Sequence, residues 1–172
     1  MIAKNNVLAV LEVFFDNPTR EFHARELSRK IGLSIFTILE AIKTLAKKDL
    51  IRVQKKGNLK IVSASHSIAF IRAKRVRNLE KIYDSCIVDY LIKAYDKPEA
   101  IVLFGSYGRG DDVENSDIDI GIITSGHKEL TLEKFEKALS RKISVHEIEL
   151  KKTSKEFHNN LINGIILDGA MV

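Results

Sequence analysis

The chain has very few of the residues that cross-link, kink or loosen a polypeptide. Its 172 residues include one cysteine, two prolines, nine glycines and no tryptophan. A single cysteine, Cys86, excludes an internal disulfide and a thiolate zinc site, and it favours a reducing compartment. The scarcity of glycine and proline excludes collagen-like sequence and long flexible linkers. With 45% hydrophobic residues, the composition predicts a compact, helix-rich chain.

Long uncharged apolar runs are also missing. Glu12 and Asp16 interrupt the apolar N-terminal stretch. Neither a small-residue cleavage site nor an apolar span of about 18 residues follows. We therefore expect a soluble, cytoplasmic protein.

Charge is unevenly distributed along the chain. Residues 1–65 contain 12 Lys/Arg and six Asp/Glu, and residues 66–98 contain seven and four. Residues 99–172 reverse the balance, with nine basic and 13 acidic side chains. A basic part suits a polyanion and an acidic part suits a cation, so the distribution predicts two domains with different partners.

Residues 1–65 begin with a pattern of three helices. Apolar residues at helical spacing predict a first helix that ends before Pro18. A short second helix is predicted from Arg20 to Lys30, with Gly32 as its stop. Ser34 then stands at an N-cap position before a third helix with an apolar stripe.

Two strand-like runs flank the turn pair Gly57-Asn58 and complete this part of the chain. The order helix, short helix, helix and basic hairpin resembles a winged helix-turn-helix domain. The resemblance implies that the third helix enters the major groove of DNA and that the hairpin wing contacts the backbone. A module that only mediates protein contacts is the alternative. The residues expected to face DNA are Ser34, Phe36, Thr37 and Lys43 on the third helix, and Lys55 and Lys56 on the wing.

Residues 66–98 join the two oppositely charged parts. The stretch 66–96 lacks glycine and proline and repeats apolar side chains every three or four positions. This spacing predicts a long connecting helix, broken at most once. Its basic first half could extend a phosphate-binding surface or could be an ordinary solvated face. Its apolar side could pack against a second copy of the chain, which makes a homodimer one expectation.

The acidic part contains a pattern that carries chemistry. Residues 100–104 are the apolar run expected of a buried strand, and Gly105-Ser106 ends it abruptly. Asp117 and Asp119 follow within a second strand-like run, where alternation points both carboxylates to one face. Two neighbouring like charges need a cation between them, and a divalent metal held by oxygen ligands meets that need.

The Gly105-Ser106 turn is typical of phosphate binding. Because Gly105 has no side chain, a triphosphate can approach the backbone, and the Ser106 hydroxyl can donate to a phosphate oxygen. A metal held by two aspartates keeps open positions for those phosphates. Turn and carboxylates together indicate phosphoryl or nucleotidyl transfer.

Two other interpretations of this region fail. The glycine cluster after residue 104 has the wrong spacing for a dinucleotide-binding loop. Asp111, Asp112 and Glu114 lack the ligand spacing of a calcium loop. We expect these three carboxylates to form a solvated loop.

The motif LFGSYGRGDDVENSDIDIGI resembles the minimal nucleotidyltransferases of the DNA polymerase beta superfamily. The shared features are a strand, Gly-Ser, a spacer and Asp-apolar-Asp on the next strand. The resemblance implies that Gly105 and Ser106 hold a triphosphate and that Arg109 braces the phosphates or the loop. It implies that Asp117 and Asp119 bind Mg²⁺. With the winged helix, the layout resembles prokaryotic, especially archaeal, transcriptional-regulator-like nucleotidyltransferases.

The resemblance also implies a third carboxylate, on the strand after the long helix of this domain. The run ISVHEIEL offers Glu147 and Glu149 on one face of that strand. We expect Glu147 to be the third metal ligand, with Glu149 as the alternative. Alternation puts His146 on the opposite face, where we expect a structural or exposed histidine. If neither glutamate reaches the site, metal and nucleotide could bind without turnover.

The expected fold class is α+β, with a winged helix at 1–65, a connecting helix at 66–98 and a small mixed-sheet nucleotidyltransferase domain at 99–172. The expected activity is Mg²⁺-dependent transfer of a nucleoside monophosphate from a triphosphate, ATP first, to a hydroxyl. By analogy the acceptor is a protein partner, as for an antitoxin that modifies its toxin. The alternative is a DNA-binding transcriptional regulator whose second domain only binds nucleotide or dimerises.

Overall fold

The computed structural model describes residues 6–57, 59–149 and 155–171. The chain divides into two compact units, Met1–Lys74 and Arg75–Val172. No helix within the described ranges is both long enough and apolar enough to cross a membrane.

The N-terminal unit combines helices with a three-stranded antiparallel sheet in the strand order β1-β3-β2. Its core is apolar: Phe14, Leu27 and Ile38 are completely buried. The ring of Phe14 meets the ring of Phe22 edge to face at 5.5 Å, a favoured aromatic geometry. The elements are α1 Asn6–Asp16, β1 Phe22–His23, α2 Ala24–Ile31, α3 Ile35–Lys47, β2 Ile51–Lys56 and β3 Leu59–Ala64.

The second helix begins later than the apolar spacing predicts. Phe22 and His23 form the short strand β1 and pair with β3, so α2 starts only at Ala24. The side chain of Phe22 explains the difference, because it is buried in the core, an interaction that helical spacing does not reveal. The predicted stop at Gly32 is confirmed: this residue adopts a left-handed φ of 76° after the last turn of α2. Asn58, the second residue of the predicted hairpin turn, lies outside the described residues.

The segment predicted as a connecting helix consists of two helices. These are α4 Ile68–Asp84 and α5 Ile87–Ala94. Cys86, between them, has a φ of 59°. A left-handed residue cannot continue a right-handed helix, so the helical segment breaks at this point.

The C-terminal unit is built on a four-stranded mixed sheet in the order β6-β5-β4-β7. Strands β5 and β6 are parallel, and β4 is antiparallel to both of its neighbours. Helices accompany this mixed sheet, so the α+β class is confirmed. The elements after α5 are β4 Ala100–Phe104, α6 Gly105–Arg109, β5 Ile118–Ile123, α7 Glu133–Leu139, β6 Ile143–Ile148, α8 Lys155–Ile162 and β7 Ile165–Gly169.

Alternate residues of β5 enter two different cores. Ile118, Ile120 and Ile122 pack in a cluster that includes residues of α5 and α7. Ile123, on the other face of the strand, packs in a smaller cluster that includes Leu161 of α8. Asp119 lies on the second of these faces, since it alternates with Ile118 and Ile120.

After β6 the described residues form the helix α8 and the strand β7. Residues 165–169 form β7, antiparallel to β4. A tight turn at Gly164 makes this possible, because a Cβ there would lie 2.6 Å from Val102 Cγ1. The short apolar run after the turn covers the edge of β4, which local periodicity alone does not predict.

Candidate functional site

Gly105 and Asp119 meet where β4 ends. Phe104, the last residue of β4, is the sheet partner of Asp119. Gly105 follows with a φ of 68°, a conformation that costs glycine little. A Cβ at this position would overlap the carboxylate oxygen Oδ2 of Asp119. The absent side chain therefore lets the carboxylate lie directly against the start of α6.

The other motif residues surround this contact. Asp117 immediately precedes β5 and is exposed, whereas 30% of the Asp119 side chain is exposed. Ser106 is half-buried in the first turn of α6. Arg109 lies at the end of this helix and is exposed, with its Nε 3.2 Å from Asp111 Oδ2. The predicted phosphate-binding and metal-binding residues, Glu147 apart, thus lie on two adjacent strand ends.

Buried hydrogen bonds fix the loop that precedes Asp117. Asn78 of α4 donates through Nδ2 to the Tyr107 carbonyl at 3.0 Å and to Asp112 Oδ1 at 2.8 Å. The side chain of Arg141 donates to the carbonyl oxygen of Glu114 and lies 3.7 Å from Asp112 Oδ2. Asp112 is only 2% exposed. The expectation of a solvated loop is therefore wrong for Asp112, which connects the loop to α4.

The register between β5 and β6 decides which side chains face Asp119. In this parallel pair Asp119 is opposite Ser144, and Gly121 is opposite His146. Residues opposite each other share a face, so Ser144 and His146 lie on the Asp119 face. His146 Nε2 is 3.6 Å from Asp119 Oδ1. The histidine ring also packs against Phe104, with the ring centroids 5.4 Å apart.

Glu147 lies on the opposite face, so the expectation that it completes the metal site is wrong. Its sheet partner is Ile122, which belongs to the other core. Glu147 accepts hydrogen bonds from Tyr95 Oη at 2.6 Å and from the Lys128 amide at 2.8 Å. His127 Nδ1 lies 2.5 Å from its second oxygen. These contacts hold the loop after β5 to the sheet.

The ionisation of Glu147 reflects this anchoring role. Burial acts to raise the pKa of Glu147, but the hydrogen bonds from Tyr95, His127 and Lys128 outweigh it and lower the pKa below its ordinary value. The pKa of Tyr95 is raised, first by burial and then by its hydrogen bond to Glu147. Glu149 is two residues after Glu147, so alternation puts it on the same face, away from Asp119. It therefore gains no support as the third ligand either.

The donor set on the Asp119 face suits a divalent cation that binds together with a nucleotide. Mg²⁺ is usually held by one or two carboxylates plus phosphate oxygens, and Asp117 and Asp119 supply the carboxylates. Among the described residues, no three histidine, cysteine or carboxylate side chains form a metal cluster. A cation bound here would therefore take its further ligands from phosphates or from a nearby side chain that moves.

The residues predicted to face DNA are all in the N-terminal unit. Ser34 caps α3: its Oγ accepts a hydrogen bond from the Thr37 amide at 3.1 Å. Phe36 is 73% exposed, and Lys43 and Lys55 are exposed. The side chain of Lys56 lies outside the described residues.

Three residues of the site are missed by the sequence interpretation. That interpretation puts His146 on the face away from the aspartates, because it seeks the third ligand among carboxylates. Asn78 and Arg141 support the loop from positions distant in sequence. No local spacing signal identifies either of them, since their partners lie 27 or more residues away.

Comparison with known proteins shows a similarity in the C-terminal part of the chain. Residues 87–170 match the family described as Polymerase beta, Nucleotidyltransferase. This part of the chain therefore forms a nucleotidyltransferase-like domain. No curated protein matches the sequence.

The solved structures that match this chain cover only part of its length. A possible transcriptional regulator from Methanosarcina mazei Go1 is 18% identical, with a TM-score of 0.37, and the match covers 52% of this chain and 78% of that one. A Mycobacterium tuberculosis protein is also 18% identical, with a TM-score of 0.39, covering 52% and 85%. A candidate nucleotidyltransferase from Sulfolobus solfataricus is 21% identical, with a TM-score of 0.30, covering 54% and 80%. Such low TM-scores establish no shared fold.

Proposed function

We propose that the C-terminal unit is a metal-dependent nucleotidyltransferase that transfers a nucleoside monophosphate from a triphosphate, ATP first, to a hydroxyl and releases pyrophosphate. The observation that carries this proposal is the contact between Gly105 and the Asp119 carboxylate at the end of β4. It joins a backbone that phosphates can approach to a carboxylate that can bind a cation. The family match over residues 87–170 supports the same activity.

Each residue of the motif has a role in this proposal. Gly105 leaves its amide accessible to a phosphate, and Ser106 donates its hydroxyl to a phosphate oxygen. Arg109 is exposed and can turn from Asp111 towards the negatively charged triphosphate. Asp117 and Asp119 would hold Mg²⁺. When bound, such a cation neutralises charge on the phosphates and lowers the pKa of an attacking hydroxyl.

The fixed loop orients the carboxylates for this role. Asn78 and Arg141 hold residues 107–114 in place, and Asp117 follows three residues later. A loop that is already ordered does not lose conformational entropy when the substrate binds. The protein thus presents the two carboxylates in a preformed arrangement.

The acceptor in this proposal is a hydroxyl on a partner protein, as for an antitoxin that modifies its toxin. This part of the proposal comes from analogy with small members of the superfamily. An RNA or small-molecule acceptor would give a different product in the labelling experiment below.

A second candidate function is nucleotide binding without transfer. It is favoured by one observation: on β6 the residues that share the face of Asp119 are Ser144, His146 and Ile148, none of which is a carboxylate. In this alternative the chain is a DNA-binding regulator that senses a nucleotide.

Labelling separates the two candidates. The full chain is incubated with Mg²⁺ and α-labelled ATP, alone and with host lysate, beside the double variant Asp117→Ala/Asp119→Ala. We expect label in a protein band, and no label with the double variant. Label in RNA would replace the protein acceptor. Absent label, together with MgATP binding that requires the two aspartates, would refute transfer and support the second candidate.

We propose DNA binding for the N-terminal unit, as a winged helix. Its helices α1, α2 and α3 and the hairpin β2-β3 follow each other in the winged-helix order. The basic balance of residues 1–65 supports a polyanion partner. Exposed Phe36 is flanked by exposed Ile35 and Leu39, a surface that would also suit a protein partner.

The salt dependence of binding to duplex DNA tests the proposal that the N-terminal unit binds DNA. Lys43→Ala/Lys55→Ala should weaken binding and reduce the slope of log K against log salt by about 0.9 for each phosphate that the variant no longer neutralises. The matched control is Lys30→Ala, an exposed lysine of α2. If the double variant and the control bind DNA equally well, α3 and the wing do not contact DNA.

A further inference from the structure

His146 places a potential nitrogen ligand beside one of the site carboxylates, with Nε2 3.6 Å from Asp119 Oδ1. On the Asp119 face, its sheet partner is Gly121. Phe104 packs against one side of the ring. Although 40% of the His146 side chain is exposed, its Nε2 atom is itself buried, so an ion would reach this atom only after a small movement of the ring or of the carboxylate.

The separation of His146 and Asp119 is close to that of two ligands on one metal ion. A transition ion about 2.1 Å from an imidazole nitrogen and a carboxylate oxygen holds these two atoms about 2.9–3.4 Å apart, depending on its geometry. In the structure Nε2 and Oδ1 are 3.6 Å apart. A shift of less than about 1 Å would bring them to ligand separation.

We propose that His146, Asp117 and Asp119, which do not form a metal cluster as they stand, come together around an ion in a mixed nitrogen and oxygen site that prefers a first-row transition ion to Mg²⁺. Imidazole suits transition ions, whereas Mg²⁺ selects oxygen ligands. The proposal rests on the nucleotidyltransferase function proposed above and identifies the cation class of that site. His146 thus takes the role of third ligand that the family resemblance leads us to expect of Glu147.

The sheet register gives the proposal a second line of support. Ser144 lies directly opposite Asp119, where a carboxylate would complete a site made only of oxygen ligands. Serine in that position leaves two carboxylates for the cation. The nitrogen of His146, 3.6 Å from Asp119 Oδ1, is then the candidate for an additional ligand.

Metal binding tests the proposal without any measurement of activity. The full chain without a polyhistidine tag is titrated with Co²⁺, monitored by visible absorption, and with Mg²⁺ by calorimetry. His146→Ala is compared with His127→Ala, a matched control because His127 is an exposed histidine that contacts Glu147 on the other face. Circular dichroism verifies that each variant is folded.

We expect His146→Ala to weaken Co²⁺ binding by about 10-fold or more, to change the absorption spectrum and to leave Mg²⁺ affinity within about twofold. His127→Ala should bind both ions like the wild type. Ser144→Asp, which adds a carboxylate opposite Asp119, should strengthen Mg²⁺ binding and thereby reverse the preference.

The outcomes separate this inference from the proposed function. If His146→Ala and His127→Ala both bind Co²⁺ like the wild type while MgATP still binds, the role of His146 is refuted and the proposed function stands. If the wild type binds neither cations nor MgATP, the nucleotidyltransferase proposal itself is refuted. A drop in Co²⁺ affinity confined to His146→Ala supports the mixed site.

Discussion

Replacement of Asn78 by alanine should destabilise the C-terminal unit through the loop that precedes Asp117. Asn78 is 4% exposed, and both of its Nδ2 hydrogens are used, one by the Tyr107 carbonyl and one by Asp112 Oδ1. Asn78→Ala removes both donors and leaves the Asp112 carboxylate buried with fewer partners. The free energy of unfolding and the affinity for MgATP should both fall.

The size of the effect follows from the two hydrogen bonds. A neutral hydrogen bond contributes about 0.5–1.5 kcal/mol, and one to a charged group about 1.5–3 kcal/mol. We therefore expect Asn78→Ala to lower the free energy of unfolding by about 2–4 kcal/mol. Arg141 lies 3.7 Å from Asp112 Oδ2 and can compensate only part of this change.

Tyrosine fluorescence during urea unfolding measures this change. All four tyrosines of the chain, Tyr83, Tyr90, Tyr95 and Tyr107, belong to the C-terminal unit, and the chain has no tryptophan. The signal therefore reports on this unit alone. Asn115→Ala, an exposed residue of the same loop, is the matched control and should change stability by less than about 0.5 kcal/mol.

The comparison between the two variants can refute the reasoning. If Asn78→Ala is no less stable than Asn115→Ala, the buried hydrogen bonds do not hold the loop. If Asn78→Ala is strongly destabilised but binds MgATP like the wild type at a temperature where it is folded, the loop supports the fold and does not orient Asp117.

Two further predictions concern the turn after β4 and the start of β6. Gly105→Ala should lower the free energy of unfolding by about 1–2 kcal/mol from its left-handed φ alone. It should also abolish MgATP binding, because the new Cβ would overlap the Asp119 carboxylate; an affinity equal to that of the wild type in calorimetry would contradict the close approach. The hydrogen bond with Lys142, and then that from the Ile143 amide, lower the pKa of Glu136. The contribution of Glu136 to stability is therefore present above its ordinary pKa of 4.5 and is lost as the pH falls through the lower pKa of the folded state. In Glu136→Gln, the free energy of unfolding measured in urea should therefore decrease less than in the wild type as the pH falls below about 4.5. If wild type and variant lose the same free energy over this pH range, Glu136 does not have this role.

Much of the aspartate site is encoded in short stretches of sequence. An apolar run followed by Gly105-Ser106 predicts a buried strand that ends in a turn. The structure contains the buried strand and its end at Phe104, but the short helix α6, and not a turn, begins at Gly105. Alternation predicts that Asp119 leaves the face occupied by Ile118 and Ile120, which is also found. These features depend on the conformation of a few consecutive residues, so local physics is sufficient to predict them.

Contacts between distant residues decided the remainder of the fold. The apolar side chain of Phe22 fits a helix or a strand equally well by its spacing, and only its partner β3 selects the strand. Asp112 looks like a solvent-exposed acid in the sequence, yet Asn78, 34 residues away, makes it a buried acceptor. Neither result follows from the neighbours of these residues along the chain.

The side chain that lies beside the aspartate motif shows most directly what the sequence alone does not determine. From alternation, His146 and Glu147 must lie on opposite faces of β6, and the sequence determined this much. Which of them faces Asp119 depends on how β6 pairs with β5, and a shift of one residue would exchange the two faces. The tertiary structure placed Ser144 opposite Asp119, because the buried residues Ile143 and Ile148 of β6 must enter the cores on their own sides of the sheet. Packing of apolar side chains on both faces thus decided that a histidine, and not a glutamate, lies beside the aspartate motif.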